Sequence, residues 1–120
     1  MDLVEEQLRN SKTIAVVGLS GDPERISYRV ARYMQSQGYR IIPVNPMVQE
    51  VLGEKSYPDL VSVPEHIDMV DVFRRSEFVP AVVEDAIAAG VRYIWLQDGV
   101  IHPEAKAAAE AAGIPVVMDD

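Results

Sequence analysis

The chain has 120 residues, 48% hydrophobic and 25% charged, with a formal net charge of −8 and no cysteine. That length and balance fit one globular domain spanning residues 1–120, and no Ser/Gly-rich linker divides it. The acidity argues against a general nucleic-acid binder, which needs Lys and Arg to neutralise phosphates. The lack of cysteine removes disulfides, thiolate metal sites and Cys nucleophiles, and the absence of a secretory or spanning segment makes the cytoplasm the expected location, with no membrane partner.

In chain order, Met1–Asn10 carries Leu3, Val4 and Leu8 at helical spacing and reads as a short helix. Thr13–Val17 is an apolar strand. A helix follows from about Ser27 to Gln37, ended by Gly38, and then a strand over Arg40–Val44. Glu54–Ile67, with Pro58 and Pro64, reads as an irregular connection containing a short helix. The second half repeats the alternation: strand Met69–Phe73, helix about Glu77–Ala89 ended by Gly90, strand Tyr93–Gln97, helix about Pro103–Ala112 ended by Gly113, strand Pro115–Met118.

Strands apolar on consecutive residues, such as Ile14-Ala15-Val16-Val17, are buried on both faces, as in a parallel sheet sandwiched by helices. The expected fold is α/β: a doubly wound, Rossmann-like parallel five-stranded sheet of order 3-2-1-4-5 with helices on both faces. Ligands of such sheets sit beyond the carboxyl ends of the strands, where the strand order reverses. The loops of interest are therefore Gly18–Ile26, Asn45–Gly53, Arg74–Phe78 and Asp98–His102.

Gly18 to Ile26 joins the first strand to a helix, a turn whose backbone N–H groups and helix dipole suit an anion. A dinucleotide fingerprint would read G-x-G-x-x-G, with an acid about 20 residues on at the end of the second strand. Here Ser20 and Pro23 occupy the second and third glycine positions, and the second strand ends in Val44-Asn45-Pro46. No Gly-Lys-Ser/Thr occurs, so a Walker A loop is absent as well. Ser20 does not sit in a G-x-S-x-G elbow, because Gly21 follows it directly. Nor does the first strand end in the carboxylates a Mg²⁺-binding receiver domain would need.

Of the eleven Lys and Arg residues, Arg25, Lys55, Arg74 and Arg75 fall on loops at the binding edge, whereas Lys12, Arg40 and Arg92 precede strands at the opposite edge. Two adjacent cations on the adenosine side of the sheet suggest a phosphate additional to those on the glycine turn. Coenzyme A carries one at its 3′ ribose position; a 2′-phosphate would be tolerated equally, so charge alone leaves NADP open. A solvated pair capping the strand end would look the same.

The string Ile14-Ala15-Val16-Val17-Gly18-Leu19-Ser20, with Pro23, Arg25, Ser27 and Tyr28 behind it, resembles the opening of the CoA-binding domain family related to the N-terminal domain of succinyl-CoA synthetase α subunits. The blocks Gly38–Pro46, Ile67–Arg74 and Ile94–Gly99 resemble that family's later blocks in order and spacing, so the match runs from about Lys12 to Asp119. The resemblance implies that CoA or an acyl-CoA is the small-molecule ligand. It implies that the turn Gly18, Leu19, Ser20, Gly21 and Arg25 cradles the pyrophosphate. By the same resemblance Val44, Asn45, Pro46, Val72 and Phe73 line the adenosine region, Arg74 and Arg75 meet the 3′-phosphate, and Gln97 and Gly99 border the pantetheine path. Trp95 is expected in the core.

Asp22 and Glu24 place negative charge beside that turn; Asp22 is expected to cap the helix, with Pro23 at its first position. The family commonly continues with a cysteine-containing segment and a basic tail, neither of which occurs up to Asp120. His66 and His102 read as surface and capping residues, Glu84-Asp85 as a solvated face, and no metal-ligand spacing occurs. The reading is thus a binding module without catalytic apparatus of its own. An NAD(P)-binding or redox-sensing Rossmann protein, and an interaction module with a vestigial crevice and an unidentified protein partner, are the alternatives.

Overall fold

Strand β1 (Thr13–Val17) is buried from Ile14 to Val17, the condition for a strand in the middle of a sheet covered on both faces. It pairs in parallel with β2 (Arg40–Val44) on one side and β5 (Met69–Val72) on the other, and β6 (Tyr93–Leu96) and β7 (Val116–Met118) follow in parallel. The structure, a computed structural model, describes residues 2–118. The five-stranded sheet has the order β2-β1-β5-β6-β7. This is the expected winding once a one-residue parallel bridge of Tyr57 to Val44 is counted as the third strand, outside β2. The sheet then reads 3-2-1-4-5-6 from that edge, with β7 as its sixth member, and the strand across the reversal from β1 is β5.

Side-chain alternation sorts the sheet into two faces. Ala15, Val17, Val44, Val70, Val72, Ile94, Leu96 and Val116 join the core under α3 (Val79–Ala89) and α4 (Pro103–Ala111), with Val82, Val83, Ala86 and Ala109. Ile14, Val16, Ile41, Met69 and Tyr93 face the other way, onto Leu8 of α1 (Leu3–Asn10) and Ala31, Tyr28 and Met34 of α2 (Ile26–Ser36). Helices on both faces are as expected. Asp2 caps α1 by accepting from the Glu5 N–H at 2.9 Å, and Gly90 ends α3 in the left-handed region at φ 69°. No helix among the described residues is long and apolar enough to cross a membrane.

The expected short helix in Glu54–Ile67 does not form. In its place a small hairpin pairs β3 (Glu50–Val51) with β4 (Glu54–Lys55), and the Tyr57 bridge and a series of turns carry the chain to β5. Arg40, at the edge opposite the binding loops, pins this segment: its guanidinium contacts Glu54 at 2.7 Å and Glu65 at 2.6 Å.

At the amino edge of the sheet, one Asp68 carboxylate oxygen accepts the N–H groups of Lys12 and Thr13, at 2.8 and 3.0 Å, which ties the entry of β1 to the entry of β5. Asp68→Ala would leave those two donors without their partner. We expect a loss of about 2 kcal/mol in urea denaturation, and Asp68→Asn, whose oxygen still accepts, should lose less.

Candidate functional site

The carboxyl ends of β1, β2 and β5 are laced together by backbone bonds. The Gly18 N–H donates to the Val44 carbonyl at 2.9 Å and the Phe73 N–H to that of Val17 at 2.9 Å. Gly18 has φ +86°, and a Cβ there would lie 3.0 Å from the Phe73 carbonyl oxygen and 3.1 Å from the Arg74 Cδ. Only glycine satisfies both the dihedral and the close approach. Asn45 adds a side-chain tie, donating from Nδ2 to the Leu19 carbonyl at 3.0 Å while its Oδ1 accepts from the Met47 N–H at 2.9 Å. It shapes two loops, and both ends of its amide are thereby engaged.

Beyond Gly18 the turn folds on itself. The Ser20 N–H donates to the Ser27 Oγ at 3.1 Å, the Asp22 N–H to the Ser20 Oγ at 3.0 Å, and the Glu24 N–H to an Asp22 carboxylate oxygen at 2.9 Å. Asp22 therefore caps its own turn and not α2. The residue preceding α2 is Arg25, no side chain caps the helix, its first turn has no acid, and Pro23 lies outside it. The N–H groups of that first turn are left to meet a ligand or solvent, with the positive end of the helix dipole behind them. The two carboxylates of concern lie near cations, Asp22 at 4.0 Å from Arg25 and Glu24 at 4.0 Å from Arg29. Gly18, Ser20, Arg25, Ile26, Ser27 and Phe73 line a cleft of ≈ 340 Å³ over this helix start.

Two neighbouring hollows flank it. On the β2 side, Val17, Val44, Pro46, Leu60, Arg74 and Phe78 surround a cavity of ≈ 140 Å³ that also exposes Asp59 and Asp85. Burial, with Asp59 and Glu84 nearby, raises the Asp85 carboxyl above its ordinary value. On the β6 side, Ile26, Val30, Phe73, Gln97, Asp98 and Val100 form an apolar-walled hollow of ≈ 460 Å³. Phe73 and Ile26 are shared between the central cleft and this hollow, so those two run together, and the β2-side cavity adjoins them through the consecutive residues Val17–Gly18 and Phe73–Arg74 in one groove along the sheet edge.

The sequence-predicted residues divide accordingly. Gly18, Ser20, Arg25, Val44, Pro46, Phe73, Arg74 and Gln97 line the groove. The side chains of Leu19 and Val72 do not: both are fully buried and pack beneath it. Gly21 adds only an open turn, with the nearest atom to its would-be Cβ, from Val48, at 3.9 Å. Gly99, at φ +82°, lies in open space on the loop after β6. The arginine pair splits. Arg74 packs its guanidinium 4.2 Å from the Phe78 ring centre at the cavity wall, whereas Arg75, 5.8 Å from the same ring, is exposed to solvent 3.8 Å from Glu77. The histidines are accounted for structurally: His102 Nδ1 accepts from the Ala105 N–H, capping α4, and His66 lies 3.3 Å from Asp68 at the opposite edge.

Asp71 is the residue this reading missed. It sits in β5 between Val16 and Trp95 in register, 4% exposed, and its Oδ1 accepts from the Gln97 Nε2 at 2.6 Å. Burial pushes its carboxyl up to about 7, against the smaller opposing effect of the Gln97 hydrogen bond. Its signal was a lone carboxylate within an otherwise apolar strand, Met69-Val70-Asp71-Val72. Ser27 stood in the sequence only as part of the string that resembles the family's opening, with no role of its own.

Comparison with known proteins places this groove in context. The uncharacterized protein YneT of Bacillus subtilis is 44% identical over 116 residues, covering 97% of this chain and 86% of its own length. A solved structure of a hypothetical protein from Pyrococcus horikoshii superposes with a TM-score of 0.92 at 38% identity, over 95% of this chain and 80% of that one. The ADP-forming acetate–CoA ligase I of Archaeoglobus fulgidus is 25% identical over 122 residues; these make up 93% of this chain but only 18% of the ligase. Residues 12–120 match the CoA binding domain, and with this fold and these relatives the chain belongs to the CoA-binding domain family.

Proposed function

We propose that this chain binds coenzyme A, free or acylated, along the groove at the carboxyl edge of its sheet. The observation that carries the reading is the uncapped start of α2 facing the Gly18 turn, with Arg25 and Arg74 on either side. An anion there meets backbone donors, a helix dipole and guanidinium groups together. The pyrophosphate occupies this central cleft. The adenosine end lies toward Val44, Pro46 and Phe78, where the carboxylates of Asp59 and Asp85 suit the amino group of adenine. The 3′-phosphate meets Arg74, whose side chain lies between this cavity and the Gly18 turn, and the pantetheine arm runs along Phe73, Ile26 and Gln97.

The ligase relative acts on acetate and CoA, and the likeness to about a fifth of its length supports the coenzyme-holding part of that activity. In this reading the described residues hold the coenzyme and add no nucleophile, since both histidines serve the scaffold.

Calorimetry with CoA and dephospho-CoA tests the assignment. CoA is expected to bind about ten- to a hundredfold more tightly, the worth of one charge-assisted contact. Arg74→Ala should erase that difference while leaving dephospho-CoA binding nearly unchanged, and Arg75→Ala should do neither. Equal wild-type affinity for the two ligands would remove the 3′-phosphate role from Arg74. A response to NADPH but not to CoA would overturn the proposal.

A further inference from the structure

We propose that Asp71 is a positioning residue that fixes the orientation of the Gln97 carboxamide, so that the groove presents a hydrogen-bond acceptor to the amide N–H groups of the ligand's pantetheine arm. This rests on the proposed CoA reading and adds to it a residue that never touches the ligand.

The geometry is restrictive. Gln97 lines the hollow on the β6 side, and its Nε2 is engaged by Asp71 at 2.6 Å. An ionised carboxylate only accepts, so it must face the amide nitrogen. The Gln97 Oε1 then takes no hydrogen bond from the described residues, and it is the polar atom that Gln97 can offer to the hollow. The surrounding wall is apolar, formed by Ile26, Val30, Phe73 and Val100, so a single oriented acceptor decides what can pair there. The pantetheine arm carries two amide N–H groups and meets this requirement.

A neutral carboxyl can donate as well as accept, so protonating Asp71 releases the amide from its single orientation. Burial holds the carboxyl at about 7, which puts this release near neutral pH. Little else nearby competes. Beside Asp71 the strands present Val16 and Trp95, and the titratable groups packed on this face are the phenols of Tyr28, Tyr39 and Tyr93. The charges at the mouth are Asp98 and, at the adjoining turn, Arg25.

The test is calorimetry at pH 6 and pH 8 on the wild type, Asp71→Asn and Gln97→Leu, with CoA and with adenosine 3′,5′-bisphosphate. The bisphosphate lacks the pantetheine arm, so it shows whether a loss is confined to that arm; ionisation of CoA itself cancels when wild type and Gln97→Leu are compared at the same pH. From pH 6 to pH 8, wild-type CoA affinity should rise about three- to tenfold more than that of Gln97→Leu, the range of one hydrogen bond. Asp71→Asn should stay at the weaker level at both pH values, as should Gln97→Leu, and neither should alter bisphosphate binding. Should Asp71→Asn not fold, the wild-type profile and Gln97→Leu decide. Wild-type CoA affinity and pH profile in the variants, or equal losses for the two ligands, overturn this inference alone. If the wild type binds neither ligand, the proposed function falls and the inference with it.

Discussion

Gly18→Val is expected to abolish CoA binding and to lower stability by about 3 kcal/mol, from a β-branched residue at positive φ together with overpacking. The native φ is +86°, and the new Cβ would sit 3.0 Å from the Phe73 carbonyl oxygen, a backbone atom that cannot rotate away. Relief requires β1 and β5 to part at their carboxyl ends, where the Phe73 N–H meets the Val17 carbonyl and the Gly18 N–H that of Val44. The same movement displaces Arg74, whose Cδ lies 3.1 Å from the new atom, and tilts the turn that aims backbone donors at the cleft. Gly21→Ala is the matched control. It lies three residues along the same loop at ordinary φ, with 3.9 Å to its nearest neighbour, so both affinity and stability should stay near wild type. Urea denaturation and CoA calorimetry on the two variants separate a specific close approach from general sensitivity of the loop. If Gly18→Val kept wild-type affinity, the pyrophosphate could not lie where it is proposed.

The acidity of the chain makes the local arrangement at this turn decisive. A net charge of −8 opposes an anionic ligand at long range. What offsets it is placement: the turn's own acids lie by Arg25 and Arg29, while the start of α2 carries no acid and no side-chain cap. Both acids are exposed and screened by salt, so their repulsion weakens where the helix-end donors, in direct contact with a ligand, retain their strength.

The sheet was legible because buried parallel strands declare themselves as apolar runs and because glycines end three of the helical patterns. What escaped notice had weaker or misleading local signals. The hairpin of β3 and β4 turns on Leu52 and Gly53, at φ 55° and 77°. Two positive dihedrals define the tight hairpin turn, yet leucine is a poor advertisement for one. Arg74 and Arg75 were indistinguishable in sequence. Both guanidinium groups lie near the Phe78 ring, but Arg74, at 4.2 Å, lines the cavity, while Arg75, at 5.8 Å, is exposed beside Glu77. Leu19 and Val72 entered through the resemblance; their side chains are fully buried, so what they offer the groove is backbone. Asp71 was hidden for the opposite reason: a strand pattern is recognised by its majority, and one carboxylate among apolar residues reads as noise until its partner, 26 positions away, is seen beside it.

That carboxylate also sets the second large effect, on stability against pH. Unfolded, Asp71 releases its proton near the ordinary value of 3.8; folded, it holds the proton to about 7. Between these values the folded state binds more protons than the unfolded one, so stability falls as pH rises through the window, by an amount on the order of 4 kcal/mol at full effect. Below the window other groups act with the opposite sign. Arg40 holds Glu65 low, and Asp68, despite partial burial, is held low by the N–H groups of Lys12 and Thr13, so their stabilisation is lost in acid. The wild type should therefore be most stable near pH 4 to 5. In Asp71→Asn the descending limb should flatten, with the variant at least as stable as the wild type at pH 8 and the acid limb unchanged. Urea denaturation across pH 3 to 9 measures both limbs, and an equally steep descent in the variant would show that Asp71 is not its source. Set beside the binding test, the expected pairing is a variant more stable at pH 8 yet weaker for CoA. A buried charge that costs the fold stability is then retained because it orients Gln97 toward the ligand.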